Sequence, residues 1–186
     1  RTWPDKLLLA YLLLTSALFL RQTTPTDTLR QSLYLFLDVF LPYYVASRAV
    51  KNVSDFKDVM LGFLLAAMVL SLIGLFEFSR RWLLYNALTY AMGVQWEIST
   101  YLSRGGSLRA SVTTGQAIAL GYVIAVAIGF YLFLQEGVRS KLQRRLGALL
   151  LAGGLFAPLS RGPWIGAAVM IIMFIGEVPI KHMAMI

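Results

Sequence analysis

The sequence predicts an all-α polytopic transmembrane helix bundle of about six spans, with an exterior interfacial helical loop. Three observations carry that prediction. Across 186 residues the hydrophobic set makes up 58% and charged residues only 14%, against about 45–50% and about 25% in a typical soluble domain. Mean hydropathy is +0.69. The apolar residues come in long runs separated by charged stretches, without the period-two alternation of a membrane β-barrel. More apolar side chain is present than a chain of this length can hide in its own core, so lipid is the expected solvent and an ordinary soluble enzyme is excluded.

The runs read in order. Residues 7–20 form the first, followed by RQTTPTDTLRQ. Residues 32–46 form a second, interrupted by Asp38 and Pro42. Residues 59–78 form the cleanest, uncharged until Glu77, and match the roughly 20 residues needed to cross about 30 Å of hydrocarbon. A long polar and aromatic stretch, 79–114, precedes the fourth run at 115–134. The fifth and sixth, 146–159 and 164–175, are separated by SRGP. They are short, and read either as two crossings, the favoured reading, or as a re-entrant pair lining a protein cavity. The whole, residues 1–186, reads as one transmembrane bundle. Beginning at Arg1 straight before an apolar run, it is expected to be the middle part of a longer multi-span protein.

Lys and Arg orient the spans. With the N-terminus cytoplasmic, ten basic residues fall on the cytoplasmic side and seven on the exterior, the sign of the positive-inside rule. Every Lys falls on the cytoplasmic side, while the exterior side has only Arg. An ammonium suits lipid headgroups, whereas guanidinium offers a planar fork matched to phosphate. The net charge of +8 is thus read as topology and anionic lipid before nucleic acid, and no nucleic-acid partner is expected.

Within 79–114 the residues Leu83, Leu84, Ala87, Leu88 and Ala91 follow helical spacing, and Gly93 is expected to break the helix. Trp82, Tyr85, Tyr90, Trp96 and Tyr101 are aromatics of the kind found at headgroup level. They suit a surface helix, or a rim that guides a lipid-linked or carbohydrate ligand.

Candidate chemistry is sparse. With no Cys and one His, neither a thiolate nor a metal cluster is expected, and no cofactor. Arg109, before the fourth run, and Arg161, in LSRGPWIG, both fall at the exterior boundary. Two such residues could hold a diphosphate bidentately or stabilise charge on a phosphate leaving group. Each could equally mark a helix end and snorkel to headgroups. Gly162 permits a tight turn and close ligand approach, and Pro163 suits the first turn of the next helix. Glu77 reads as an ion-pair partner of an exterior Arg or as an acid–base group. Asp38, at mid-span, should face a cavity or a partner. His182 is read as non-catalytic.

The stretch LRASVTTGQAIALGYVIAVAIGFYLFL, then a basic loop, then GALLLAGGLFAPLSRGPWIGAAVMIIMFI resembles the core of the O-antigen ligase and polymerase-like superfamily of bacterial membrane glycosyltransferases, in its exopolysaccharide or capsule polymerase branch. That family shows an Arg entering a helix and, one cytoplasmic loop later, a Ser-Arg-Gly. Arg109 and Ser160-Arg161-Gly162 occupy those places, and TTGQ departs from the family's Asn-Pro or His-Pro element. The likeness covers residues 108–175 and is only topological before them. It implies a multi-pass enzyme of the bacterial cytoplasmic (inner) membrane. Such an enzyme transfers or polymerises glycan from a polyprenyl-diphosphate donor onto a glycan or lipid-linked acceptor on the exterior face, without metal or cofactor. By position Arg109 and Arg161 inherit the diphosphate role as catalytic and substrate-binding residues, with Glu77 as a further catalytic candidate and Tyr101 and Arg104 as substrate-binding ones. The family's exterior His has no counterpart in His182. The alternative is a membrane transporter or lipid-linked glycan flippase segment, in which Asp38 and Glu77 carry coupling.

Overall fold

The computed structural model describes residues 3–22, 24–93, 98–138 and 140–183, with side chains except at 22, 136 and 177–183. Arg1, Trp96 and Arg139, and the side chain of His182, lie outside the described residues. Two compact units, Arg1–Phe56 and Lys57–Ile186, divide the chain, where the sequence reads as one bundle over 1–186.

The first unit holds α1 (Trp3–Gln22), α2 (Pro25–Leu35), a π-helical segment (Phe36–Phe40) and α3 (Leu41–Ala49). Helix α2 starts where its sequence says it should. The extended Thr24 accepts a hydrogen bond from the Asp27 N–H at 3.3 Å, Pro25 follows, and Asp27 pairs with Arg30 at 2.7 Å. These are a cap, a preformed first turn and an acidic side chain at the positive helix end. The second apolar run is not one regular helix. Pro42 has no N–H for the Asp38 carbonyl, and its ring crowds that carbonyl. The backbone widens there, and the Leu41 N–H reaches back to the Phe36 carbonyl, an i to i−5 bond. Asp38 lies in the widened turn with its side chain exposed, rather than facing a cavity of this unit.

The second unit is built on α4 (Val53–Arg80), α5 (Leu84–Ala91), α6 (Ala117–Leu134), α7 (Lys141–Phe156) and α8 (Arg161–Met183). On α4 the buried residues are Met60, Leu64, Ala67, Ser71, Gly74 and Glu77, a single face recurring every three or four positions. The other face, with Leu61, Leu65, Val69, Leu72 and Phe76, is exposed yet just as apolar. Water would not tolerate that face over such a length; hydrocarbon would. Three of the described helices, α1 through Arg21, α4 and α6, are long and apolar enough to cross a membrane, which marks this as a membrane protein.

The fifth and sixth apolar runs fall in α7, of 16 residues, and α8, of 23. Lys141, Arg144 and Arg145 occupy the first turns of α7, so its apolar part begins late. Helix α8 carries apolar residues from Trp164 to Ile175 and continues to Met183. Helix α5 ends before Gly93, whose φ of +73° makes the break expected from the sequence. Not expected is a two-stranded ribbon, β1 (Ser103–Arg104) against β2 (Ser107–Leu108). Strand alternation does not announce it because the turn sets it: Gly105 and Gly106 have φ of +58° and +77°, the backbone that closes a two-residue hairpin.

The core gathers around α6, where Leu120, Ile124 and Ala127 are fully enclosed among Ala67, Leu151 and Ala167. Small residues bring the backbones close, as in lipid they must. A side chain on Gly154 would collide with Ser71 of α4, and a Cβ on Gly121 would stand 2.6 Å from Pro163 Cγ. A proline ring cannot swing aside. Gly121→Ala should therefore cost about 1–3 kcal/mol, read by denaturation in detergent micelles. Gly62→Ala, with no atom within 4 Å, should be neutral or slightly stabilising.

Candidate functional site: an arginine corner

At one end of the second unit, the end of α4, the start of α6 and the α7–α8 turn meet. Glu77, in the last turn of α4, is wholly buried. Its Oε1 accepts from the Leu84 N–H at 3.1 Å, and its Oε2 from the Ser111 and Val112 N–H groups at 3.2 and 3.0 Å. Its carbonyl accepts from the Trp82 N–H at 3.2 Å. The carboxylate is thus committed to main-chain donors and not to an arginine. Its geometry is that of a clasp between α4, the start of α5 and the 3-10 turn Val112–Thr114.

The loop between α5 and α6 is pinned from both sides. Asn86, buried on α5, donates to the Ser99 carbonyl at 2.6 Å and accepts from the Ile98 and Ser99 N–H groups, each at 3.1 Å. Ser111 Oγ donates to Ser99 Oγ at 2.8 Å. The Tyr101 hydroxyl accepts from the Leu83 N–H at 3.3 Å, and its ring stays exposed. The Ala110 N–H donates to the Ala157 carbonyl at 3.1 Å, which lays this loop along the α7–α8 turn.

That turn, residues 157–160, is where the arginines converge. Arg109 donates from Nε to the Pro158 carbonyl at 3.0 Å and from Nη2 to Ser160 Oγ at 2.8 Å. Arg104, at the tip of the ribbon, donates to the Leu159 carbonyl at 2.5 Å. Arg161 comes next in the chain and opens α8; it is exposed, and among the described residues no hydrogen bond or ion pair engages its guanidinium. Three of the predicted site residues, Arg104, Arg109 and Arg161, are therefore brought to one turn. Burial, and then the Arg104 cation, push the Arg109 guanidinium below its ordinary value. Arg does not lose its proton in proteins, so the outcome is a pair of like charges that an anion would relieve.

Arg109 also lines a cavity of about 140 Å³ with Thr100, Ser111, Gln116 and Ile118. Gln116 caps α6 without a side-chain hydrogen bond, which leaves the first-turn N–H groups of α6 unpartnered within the helix, and Ala117 and Ile118 of that turn line the same cavity. A guanidinium and a helix N-terminus thus border one small cavity, the two kinds of group from which anion sites are built. A Cβ on Gly162 would lie 2.9 Å from the Tyr122 hydroxyl, so the glycine lets Tyr122 of α6 come close to the start of α8.

Three non-glycine residues in the left-handed region, Arg81, Val112 and Leu159, have φ of 53°, 50° and 49°. All border this corner. For a β-branched residue such as Val112 this backbone is a real outlier, of the kind that persists only where neighbours over-determine it. Glu77 holds the Val112 N–H, and the Phe156 carbonyl and Arg104 hold Leu159. Sequence reasoning did not find the roles of Ser160 and the 158–159 carbonyls. The one available signal was Ser160 at the position preceding a helix, where a side-chain oxygen is placed to bond. Among the described residues no group of three or more His, Asp or Glu is positioned to hold a metal.

Glu77→Gln replaces one acceptor oxygen by an amide that faces an N–H donor. It should lower stability by about 1–3 kcal/mol and selectively reduce hydrogen-exchange protection at Leu84, Ser111 and Val112. Unchanged protection there would show that the clasp does not hold the loop.

Comparison with protein-family models, with curated proteins and with solved structures finds no match to this chain.

Proposed function

We propose that the arginine corner binds the diphosphate of a lipid-linked glycan, and that the chain is the core of a bacterial inner-membrane glycosyltransferase of the O-antigen ligase or polysaccharide polymerase type. The observation that supports this reading most directly is the bonding of Arg109 to Ser160, which gathers Arg109, Arg104 and Arg161 at one turn. Residues that the family resemblance selects for one role, Arg109 and Arg161, are 52 positions apart in sequence and are neighbours of the same serine.

In this reading the acceptor hydroxyl attacks the anomeric carbon of the donor sugar. The bond from that carbon to the diphosphate oxygen breaks, and polyprenyl diphosphate departs. Negative charge grows on the leaving oxygen, and preorganised guanidinium donors lower the barrier most when they meet it there. Arg109 uses Nε and one Nη2 hydrogen on the turn, which leaves further N–H groups of its five for phosphate. Arg161 is the uncommitted fork beside it. Glu77 enters as a positioning residue, since its oxygens serve backbone donors. The exposed Tyr101 ring offers an apolar face for a sugar. The acceptor's proton goes to a base outside this corner.

One observation favours a different class. Asp38 lies exposed in a π-helical segment, and such widened turns recur at functional sites, as a transporter or flippase would require. The two readings separate by mutation in the protein as the cell makes it. Arg161→Lys and Arg109→Lys should each lower polymer or ligated glycan by about 100-fold or more with membrane insertion intact, while Asp38→Asn leaves it near wild type. The reverse pattern would replace the transferase by the transporter.

A further inference from the structure

The opposite end of the second unit carries a second cationic feature that the transfer chemistry does not use. Helix α6 has 18 residues, about 27 Å at 1.5 Å each, so its two ends stand about one hydrocarbon thickness apart. At its C-terminal end, between α4 and the start of α7, lies an apolar cavity of about 720 Å³ whose walls include Leu61, Leu65, Met68, Leu146 and Leu150. It adjoins a polar recess of about 450 Å³ bordered by Lys141, Arg144 and Arg145. Tyr131, Gln135 and Arg144 line both, so recess and cavity are immediate neighbours.

The recess is built. The buried Tyr131 donates its hydroxyl to the Arg144 carbonyl, which fixes the first turn of α7 against α6. Lys57, at the same end of α4, sits over the Phe133 ring at 6.0 Å from its centroid. Among the residues whose side chains are described, no carboxylate forms an ion pair with Lys57, Lys141, Arg144 or Arg145, and the ion pair that does form is Asp27–Arg30. Like charges on α7 also repel one another. Three cations crowd the first turns of α7, where the helix already presents about half a positive charge. A negative group seated among them would relieve both.

A cationic recess beside an apolar slot matches an amphiphile with a negatively charged head. Cations snorkelling from a helix end need no slot, and a packing defect needs no ring of charge. We propose that this cavity and the recess beside it form a site for one anionic phospholipid, its phosphate held by Lys141, Arg144 and Arg145 and an acyl chain lying along Leu61, Leu65, Met68, Leu146 and Leu150. The volume lies within the range of pockets that bury small ligands, and basic pockets between membrane helices are known to hold anionic head groups. The inference stands apart from the glycosyltransferase reading, because it uses the other end of α6 and requires no glycan.

The test is native mass spectrometry of the protein purified in neutral detergent and titrated with dioleoyl phosphatidylglycerol or dioleoyl phosphatidylcholine, with no glycan donor present. Phosphatidylglycerol should be retained at one copy and at least tenfold more tightly than the choline lipid. Lys141→Gln with Arg145→Gln, both at exposed positions, should weaken retention by about fivefold per cation removed. Leu65→Trp, which fills the slot, should weaken it without any change of charge. Free glycerol 3-phosphate at equal concentration should not displace the lipid. Equal retention of the two lipids would overturn the proposal. So would phosphatidylglycerol binding that survives the double Gln substitution, or displacement by glycerol 3-phosphate as effective as by lipid. Should Leu65→Trp fail to fold, the glutamine pair decides alone.

Discussion

Glu77 is buried, and its two oxygens accept N–H bonds from Leu84, Ser111 and Val112, so the end of α4, the start of α5 and the approach to α6 are tied to one side chain. Burying a carboxylate costs several kcal/mol unless its hydrogen-bonding capacity is met. Here main-chain donors meet it, in bonds strengthened by the charge of the acceptor. The tie also explains how Val112 keeps a backbone that hard-sphere contacts disfavour, with φ of 50°. From Val112 the constraint spreads through Ser111 to Ser99 and Asn86, and through Ala110 to the α7–α8 turn. Arg109 lies between these fixed points. Its guanidinium is aimed by the backbone on either side of it, and that backbone is held by Glu77.

Lipid as solvent explains why some elements were legible and others were not. Helices α4 and α6 could be read from composition because an unbroken apolar run of the right length has few other uses. The helix Leu84–Ala91 and its end at Gly93 were legible from periodicity and from the glycine. The second apolar run was not, since its outcome turns on a single missing N–H at Pro42. The break between the fifth and sixth runs, between α7 and α8, was legible from SRGP, and the charges that open α7 delay its apolar part. The hairpin at Gly105–Gly106 follows from turn chemistry over two residues, too local for a scan that seeks alternation.

The candidate site was legible residue by residue but not as a place. Arg109 and Arg161 stood out because charge at a span boundary is sparse and the motifs around them are distinctive. That Arg109 bonds the serine preceding Arg161 could not be read, because its bonds to Pro158 and Ser160 join positions 49 and 51 apart. Glu77 was noticed for its charge and assigned chemistry suited to an exposed or paired carboxylate. Its partners are backbone N–H groups of loop residues, and no side-chain pattern announces such partners. Burial decided between the roles.

The segregation of Lys from Arg acquires a physical meaning once the ends of α6 are distinguished. At the end where Ala117 begins the helix, the described cations nearby are Arg104, Arg109 and Arg161, and two of them are fixed by directional bonds to a rigid turn. Planar donors with fixed orientation suit a ligand whose phosphates must be held in one pose. At the end where Leu134 closes the helix, Lys57, Lys141 and Arg145 make no such bonds among the described residues, and the cavity nearby is apolar. Cations not fixed by directional bonds suit a headgroup that exchanges with bulk lipid, and their attraction to an anionic leaflet falls off within a Debye length. The same net positive charge therefore does different work at the two ends: orientation where bonds fix the guanidinium, and attraction where nothing does.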